Sequence, residues 1–157
     1  MPLSNAELET LFPGMIGCKL THSINQAIGT SVDTPLTFDT ELYDSGEMHS
    51  GTRPTRITFP ITGLYVVVAN CTWAATGGGN QRSLFIRHDG SKMLGNVKGP
   101  QTPGGLACSQ CLTVIDRFEE THYVEMVVHQ DGVPLNMLGQ ATVPYSPFFT
   151  AYLLVKG

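Results

Sequence analysis

Along most of the chain, apolar and polar residues alternate instead of recurring at helical spacing. Short runs rich in Val, Ile, Thr, Tyr and Phe, bounded by Gly, Pro, Asn and Asp, predict strands. They fall at residues 18–23, 36–38, 56–59, 63–73, 82–88, 92–94, 106–115, 122–130 and 148–155. Asp89-Gly90 and Asp131-Gly132 read as hairpin turns, because Gly tolerates the positive φ that primed turns require. Gly77-Gly78-Gly79-Asn80 opens no helix and lacks the Lys-Ser/Thr ending of a phosphate loop, so it reads as a hairpin tip. Eight or nine strands with no helical periodicity between them predict an all-β sandwich or barrel. Residues 4–12 are the exception. Ser4 and Glu7 have capping-box spacing, Leu8, Leu11 and Phe12 share one helical face, and Pro13-Gly14 ends the run. A helix this short is marginal alone, so the arm docks either on its own domain or on a neighbouring protein.

Two strands are apolar on both faces. From residue 63, Tyr65, Val67, Ala69, Cys71 and Trp73 fall on one side, and Leu64, Val66 and Val68 on the other before Asn70 turns polar. The last strand does the same: Phe149, Ala151, Leu153 and Val155 alternate with Phe148, Thr150, Tyr152 and Leu154. A two-sheet sandwich has one interior, so such strands need a second surface of burial. With no helices to provide it, the expected cover is another copy of the chain.

Composition sharpens this expectation. Only 14% of the 157 residues are charged, against roughly 25% in an average domain, and 17 Gly and 10 Pro suit short connections better than helices. The length fits one domain, expected at residues 17–157 behind an arm at 1–16. A net charge of −4 with scattered Lys and Arg argues against nucleic acid as a partner. The longest apolar run, Leu64 to Ala69, is too short to insert in a membrane, and Met1 to Asn5 lacks the features of a signal peptide, so a cytoplasmic origin is expected.

The candidate chemistry is sparse. Cys108-x-x-Cys111 has no second ligand pair at zinc spacing and no helix for a redox motif, and residues three apart on a strand face opposite sides, so packing is the expected role. None of the five histidines sits in a metalloprotease motif, and no Gly-x-Ser-x-Gly elbow is present, so no enzyme is expected. The loop from Asp39 to His49 holds Asp44, Glu47 and His49 as weak candidates for a hard cation, with a solvated acidic turn as the alternative; no cofactor is expected. Asn70-Cys71-Thr72 is formally a glycosylation sequon, placed inside a predicted central strand where it would go unused. Tyr43, Trp73, Tyr145 and Phe148 are candidates for an aromatic sugar platform, although Trp73 and Phe148 alternate like core or interface residues.

Several segments match a known pattern in order. Arg56-Ile-Thr-Phe-Pro-Ile-Thr-Gly-Leu-Tyr65 resembles the approach to the long central strand in the globular head of complement's first component, the superfamily shared with tumour necrosis factor. Leu36-Thr-Phe-Asp-Thr40 is similar to that family's Phe-containing strand, and the acidic, His-containing loop 44–49 is similar to one in bacterial and phage members. Tyr123-Val-Glu-Met-Val-Val-His-Gln-Asp-Gly132 and Phe149-Thr-Ala-Tyr-Leu-Leu154 resemble two later strands, although Glu120-Thr121-His122 stands where a Gly-Asp turn is usual and no fibrous stalk is present. The resemblance implies a ten-stranded jelly roll assembled as a homotrimer, with Tyr65, Tyr123, Phe148, Tyr152 and Leu154 at the trimer interface. Together with the short apolar arm, it predicts a virion structural protein of a tailed phage or related particle, assembled in the host cytoplasm, which decorates the capsid and docks on a capsid or other virion protein through Leu8, Leu11 and Phe12. The alternative is a tail or head-fibre adhesin that recognises host surface glycans through distal loops, with Asn80 and Tyr145 as contact residues.

Overall fold

The alternation resolves into twelve strands in a computed structural model that describes residues 14–75, 81–100, 106–142 and 146–157. They are β1 (Gly17–Thr21), β2 (Gln26–Ile28), β3 (Thr34–Pro35), β4 (Thr40–Asp44), β5 (Arg56–Thr58) and β6 (Gly63–Trp73). There follow β7 (Gln81–His88), β8 (Lys92–Pro100), β9 (Cys108–Phe118), β10 (Tyr123–Gln130), β11 (Leu135–Met137) and β12 (Phe148–Lys156). A seven-stranded sheet runs β2-β11-β6-β12-β1-β4, with β9 paired along the other side of β6. A five-stranded sheet runs β3-β10-β7-β8, with β5 also on β10. Every pairing is antiparallel, and the two sheets form a jelly-roll sandwich.

The core is the alternate face of each long strand. Tyr65, Val67, Ala69, Cys71 and Trp73 of β6 are all fully buried, facing Leu84 and Ile86 of β7 and Val124, Met126 and Val128 of β10. Phe59 stacks on Phe118 at 4.0 Å and Phe38 on Phe149 at 5.6 Å between ring centroids. Aromatic pairs at this separation add to the burial of their area.

The structure departs from the sequence expectations in several places. Leu36 and Phe38 are buried as expected, but their N–H groups donate to Met126 and Pro54 carbonyls in a loop, and the paired residues are Thr34–Pro35 just before them. The acidic segment expected as a loop contains β4, which pairs with β1. Asp89-Gly90 makes the β7–β8 turn with φ of 46° and 71°, but Asp131-Gly132 carries the chain from β10 in one sheet to β11 in the other and so is a corner, not a hairpin. Among the described residues there is no helix. Leu8, Leu11 and Phe12 of the arm lie outside the described residues, as do Asn80 and Tyr145. The described end of the arm is tied down at Ile16, which packs against the core and whose carbonyl accepts the Leu153 N–H at 2.9 Å.

Candidate functional site

Because one face of β6 is wholly internal, its other face points away from the sandwich, and the register shows what surrounds it. Val66 lies between Ile115 of β9 and Tyr152 of β12; Val68 lies between Thr113 and Thr150. Leu64 lies between Arg117 and Val155, which a register shift after Leu153 turns from the expected inner face to this one, and Asn70 lies between Cys111 and Phe148. Side chains directly opposite on neighbouring strands touch, so Leu64, Val66, Ile115, Tyr152 and Val155 form one apolar patch. Ile115 and Val155 are each 61% exposed and Leu154 is 50% exposed. Isolated exposed apolar residues are ordinary, but a contiguous patch on a sheet face marks an interaction surface.

One flank of the patch is built by a close approach. Tyr152 pairs with Gly17, where a Cβ would stand 2.4 Å from Tyr152 Cδ1 and 2.9 Å from the Ala151 carbonyl oxygen. Lacking that atom, Gly17 lets the Tyr152 ring lie across β1 and meet the Tyr43 ring at 5.7 Å. Burial pushes the Tyr152 phenol above its ordinary pKa, and Cys18 adds to this. Beyond it, the Tyr43 hydroxyl donates to Thr150 Oγ1 at 3.3 Å, which itself donates to the Cys18 carbonyl at 2.6 Å. Lys19 Nζ sits 5.0 Å from the centre of the Phe148 ring. The face therefore grades from apolar at Leu64 to hydrogen-bonded at Phe148.

The outer face of the other sheet is different in kind. Tyr123, Glu125, Val127 and His129 of β10 point outward, and the buried Glu125 carboxylate is held between Arg56, at 3.5 Å, and Arg87, at 2.9 Å. Thr55 Oγ1 donates to it at 3.0 Å, and His129 Nδ1 lies 2.8 Å from Asp33 Oδ1. One outer face thus carries an apolar patch, and the other a network of ion pairs around Glu125.

Of the residues expected at a trimer interface, Phe148, Tyr152 and Leu154 share the apolar face, with Phe148 and Tyr152 half-buried and Leu154 exposed. Tyr65 does not. It is fully buried in its own chain, with its hydroxyl donating to the Ile61 carbonyl at 2.8 Å. Tyr123 is on the opposite sheet, its ring covered by the Arg56 guanidinium at 3.9 Å. Leu64, Val66, Val68 and Ile115 accompany Phe148 and Tyr152 on that outer face. Trp73 is also internal, donating from Nε1 to Gln110 Oε1 at 2.8 Å, so it forms no surface platform with Phe148.

The weak cation candidates do not converge. Asp44 Oδ1 accepts the N–H groups of Gly46 and Met48 and its Oδ2 accepts that of His49, while His49 Nδ1 turns to Glu41 Oε1 at 2.8 Å. Asp44 thereby shapes the turn after β4, in which Glu47 takes a φ of 51°. Among the described residues, the potential ligand side chains that do meet are His88, Asp89 and His122, at one end of the sandwich. Cys108 and Cys111 are free thiols, Cys108 half-buried and Cys111 exposed beside Asn70.

No protein-family model matches the sequence, and no curated protein does. Solved structures do match. The Eiger tumour necrosis factor of S. frugiperda superposes with a TM-score of 0.69 at 13% identity, covering 91% of this chain and 94% of that one. Murine APRIL gives 0.67 at 9% identity, covering 89% and 99%. The globular domain of zebrafish complement 1qA gives 0.64 at 9% identity, covering 90% and 98%. The chain has the tumour necrosis factor and complement globular-head jelly-roll fold.

Proposed function

We propose that the chain is a non-enzymatic structural module that assembles as a homotrimer through the outer face of the seven-stranded sheet. The observation that carries this reading is the apolar patch around Val66, set against a charged face on the opposite sheet. Its threefold order rests on the resemblance seen in the sequence. Ile115→Asp tests it, because that side chain is 61% exposed and its replacement leaves the sandwich interior intact. The unaltered chain is expected to sediment as a trimer at micromolar concentration and the variant as a folded monomer. A monodisperse monomer for the unaltered chain, or a variant of undiminished mass, overturns the assembly face.

On that trimer we place the role of a tailed-phage virion protein on the capsid surface, docked by residues 1–16. The amphipathic pattern of Leu8, Leu11 and Phe12 and the similarity of residues 44–49 to phage members support this role. Deleting residues 2–14 is expected to leave a folded trimer that no longer binds purified capsids; retained binding refutes the arm. Binding to a glycan array, with none to capsids, would replace decoration by adhesion to host glycans.

A further inference from the structure

Two turns that are distant in sequence meet at one end of the sandwich. The antiparallel register of β10 on β7 places Val124 opposite His88, which brings the β7–β8 turn beside the β9–β10 turn. His88 ends β7 with its ring edge on Phe118 at 5.2 Å, an apolar backing that leaves its side chain 14% exposed. Asp89 follows in the left-handed region. Its N–H donates to the Tyr123 carbonyl at 3.0 Å, and its Oδ1 accepts the Tyr123 N–H at 3.0 Å. With Oδ1 fixed in this way, Oδ2 is turned toward the imidazoles, 3.2 Å from His88 Nε2 and 3.7 Å from His122 Nδ1. His122 is set by its own turn, in which Thr121 has a φ of 71° and the His122 N–H donates to the Glu119 carbonyl at 3.1 Å. His88 Nε2 and His122 Nδ1 are 3.1 Å apart.

Two imidazole nitrogens and one carboxylate oxygen therefore form a triangle with sides of 3.1, 3.2 and 3.7 Å. Donor atoms around a tetrahedral ion with bonds of about 2.0–2.1 Å are roughly 3.3–3.4 Å apart. A circle through the three atoms has a radius of about 1.9 Å, so an ion at such a bond length sits slightly off their plane, on the solvent side. We propose that His88 Nε2, Asp89 Oδ2 and His122 Nδ1 bind one divalent transition ion of the zinc type. The donor set decides the class, because calcium and magnesium select oxygen ligands while imidazole suits zinc, cobalt and nickel. Three protein ligands leave the fourth position to water or an external donor, and the exposure of Asp89 and His122 side chains, 38% and 36%, leaves it room. Glu119 Oε2 lies 3.9 Å from His122 Nε2, the nitrogen facing away from the ion, near enough for attraction but beyond a hydrogen bond.

The test uses the full, untagged chain stripped with a chelator and titrated with Zn²⁺ by calorimetry and with Co²⁺ by visible absorption. One ion per chain is expected, with the intense bands of low-coordinate Co²⁺, and no heat with Ca²⁺. Asp89→Asn keeps the carbonyl that accepts the Tyr123 N–H, and His122→Ala removes a side chain already at the surface, so both variants are expected to fold. Each is expected to lose at least about tenfold in Zn²⁺ affinity, the scale on which even supporting residues of metal sites act, and to lose the Co²⁺ bands. Absence of Zn²⁺ binding, binding undiminished in both folded variants, or equal binding of Ca²⁺ overturns the site and leaves a hydrogen-bonded His–His–Asp cluster.

Discussion

Replacing Arg82 by methionine is expected to stabilise this protein. Arg82 points into the sandwich from β7, opposite Gln130 on β10, and is 1% exposed. Neither terminal guanidinium nitrogen has a hydrogen-bond partner among the described residues. The Trp73 ring lies 5.8 Å from the guanidinium carbon, at the outer limit of a cation–π contact. An ion taken out of water costs several kcal/mol after relaxation, and replacing buried ions by apolar residues of similar volume commonly stabilises by about 1–4 kcal/mol. Methionine keeps the unbranched stem, so the packing on Trp73 largely survives. Subtracting roughly 1 kcal/mol for the lost cation–π contact leaves an expected gain of about 0–3 kcal/mol. At about 2–4 °C per kcal/mol for chains near this size, Tm should rise by up to about 12 °C. The assay is urea unfolding at fixed protein concentration, followed by the fluorescence of Trp73, the single tryptophan. A loss of more than about 1 kcal/mol would mean that the guanidinium makes charge-assisted bonds in solution, and would refute the reasoning.

Glu125→Gln removes the charge that holds Arg56 and Arg87 across three strands and is expected to cost about 2 kcal/mol by urea midpoint, since both arginines can swing toward water; no change would show the bridge to be dispensable. Burial pushes the Asp39 carboxyl up, but the Ser23 hydroxyl and N–H, the Thr40 hydroxyl and His22 outweigh it and leave it below its ordinary value. A depressed folded pKa contributes stability above the unfolded value and loses it as pH falls through the folded one, so Asp39→Asn should flatten the decline in stability as pH falls from about 5 through and below the ordinary Asp value of about 3.9; an unaltered decline would count against it. Burial raises the thiol pKa of Cys71, and of Cys18 beside Asp44, well above the ordinary range. Iodoacetamide at pH 8 is therefore expected to modify exposed Cys111 and spare Cys18 and Cys71 until unfolding, as read by mass spectrometry. Because Cys111 lies on the apolar sheet face, its labelling should slow at concentrations where the chain assembles.

The alternation of β6 and β12 was legible in the sequence, and so was the need for a second covering surface. Which face was internal was not. The resemblance places Tyr65 at an interface, yet in the folded chain it is buried with its hydroxyl donating to the Ile61 carbonyl four residues back. Tyr123 alternates as regularly as Tyr152, but periodicity assigns a residue to a face and not a strand to a sheet; only the pairing of β10 with β7 and of β12 with β6 separates them. The short strands β2, β3, β4 and β11 carry two to five residues each and little apolar signal. They form because distant partners such as Leu135 and Ile28 meet. His88 and His122 are 34 positions apart and share no motif, so no local spacing announces their contact.

The central placement of β12 carries a consequence for how the protein is made. Until residues 148–156 leave the ribosome, the larger sheet consists of two separate halves, β6 with β9 and β1 with β4, each presenting a bare edge to the other. Strands joined across more than a hundred residues close slowly, and open edges invite pairing with the wrong chain while they wait. Closure of the larger sheet therefore waits on β12, the strand that joins its two halves. The chain is most open to wrong pairing before β12 docks, and a chain truncated after residue 147 should be far more sensitive to protease than the chain through residue 157.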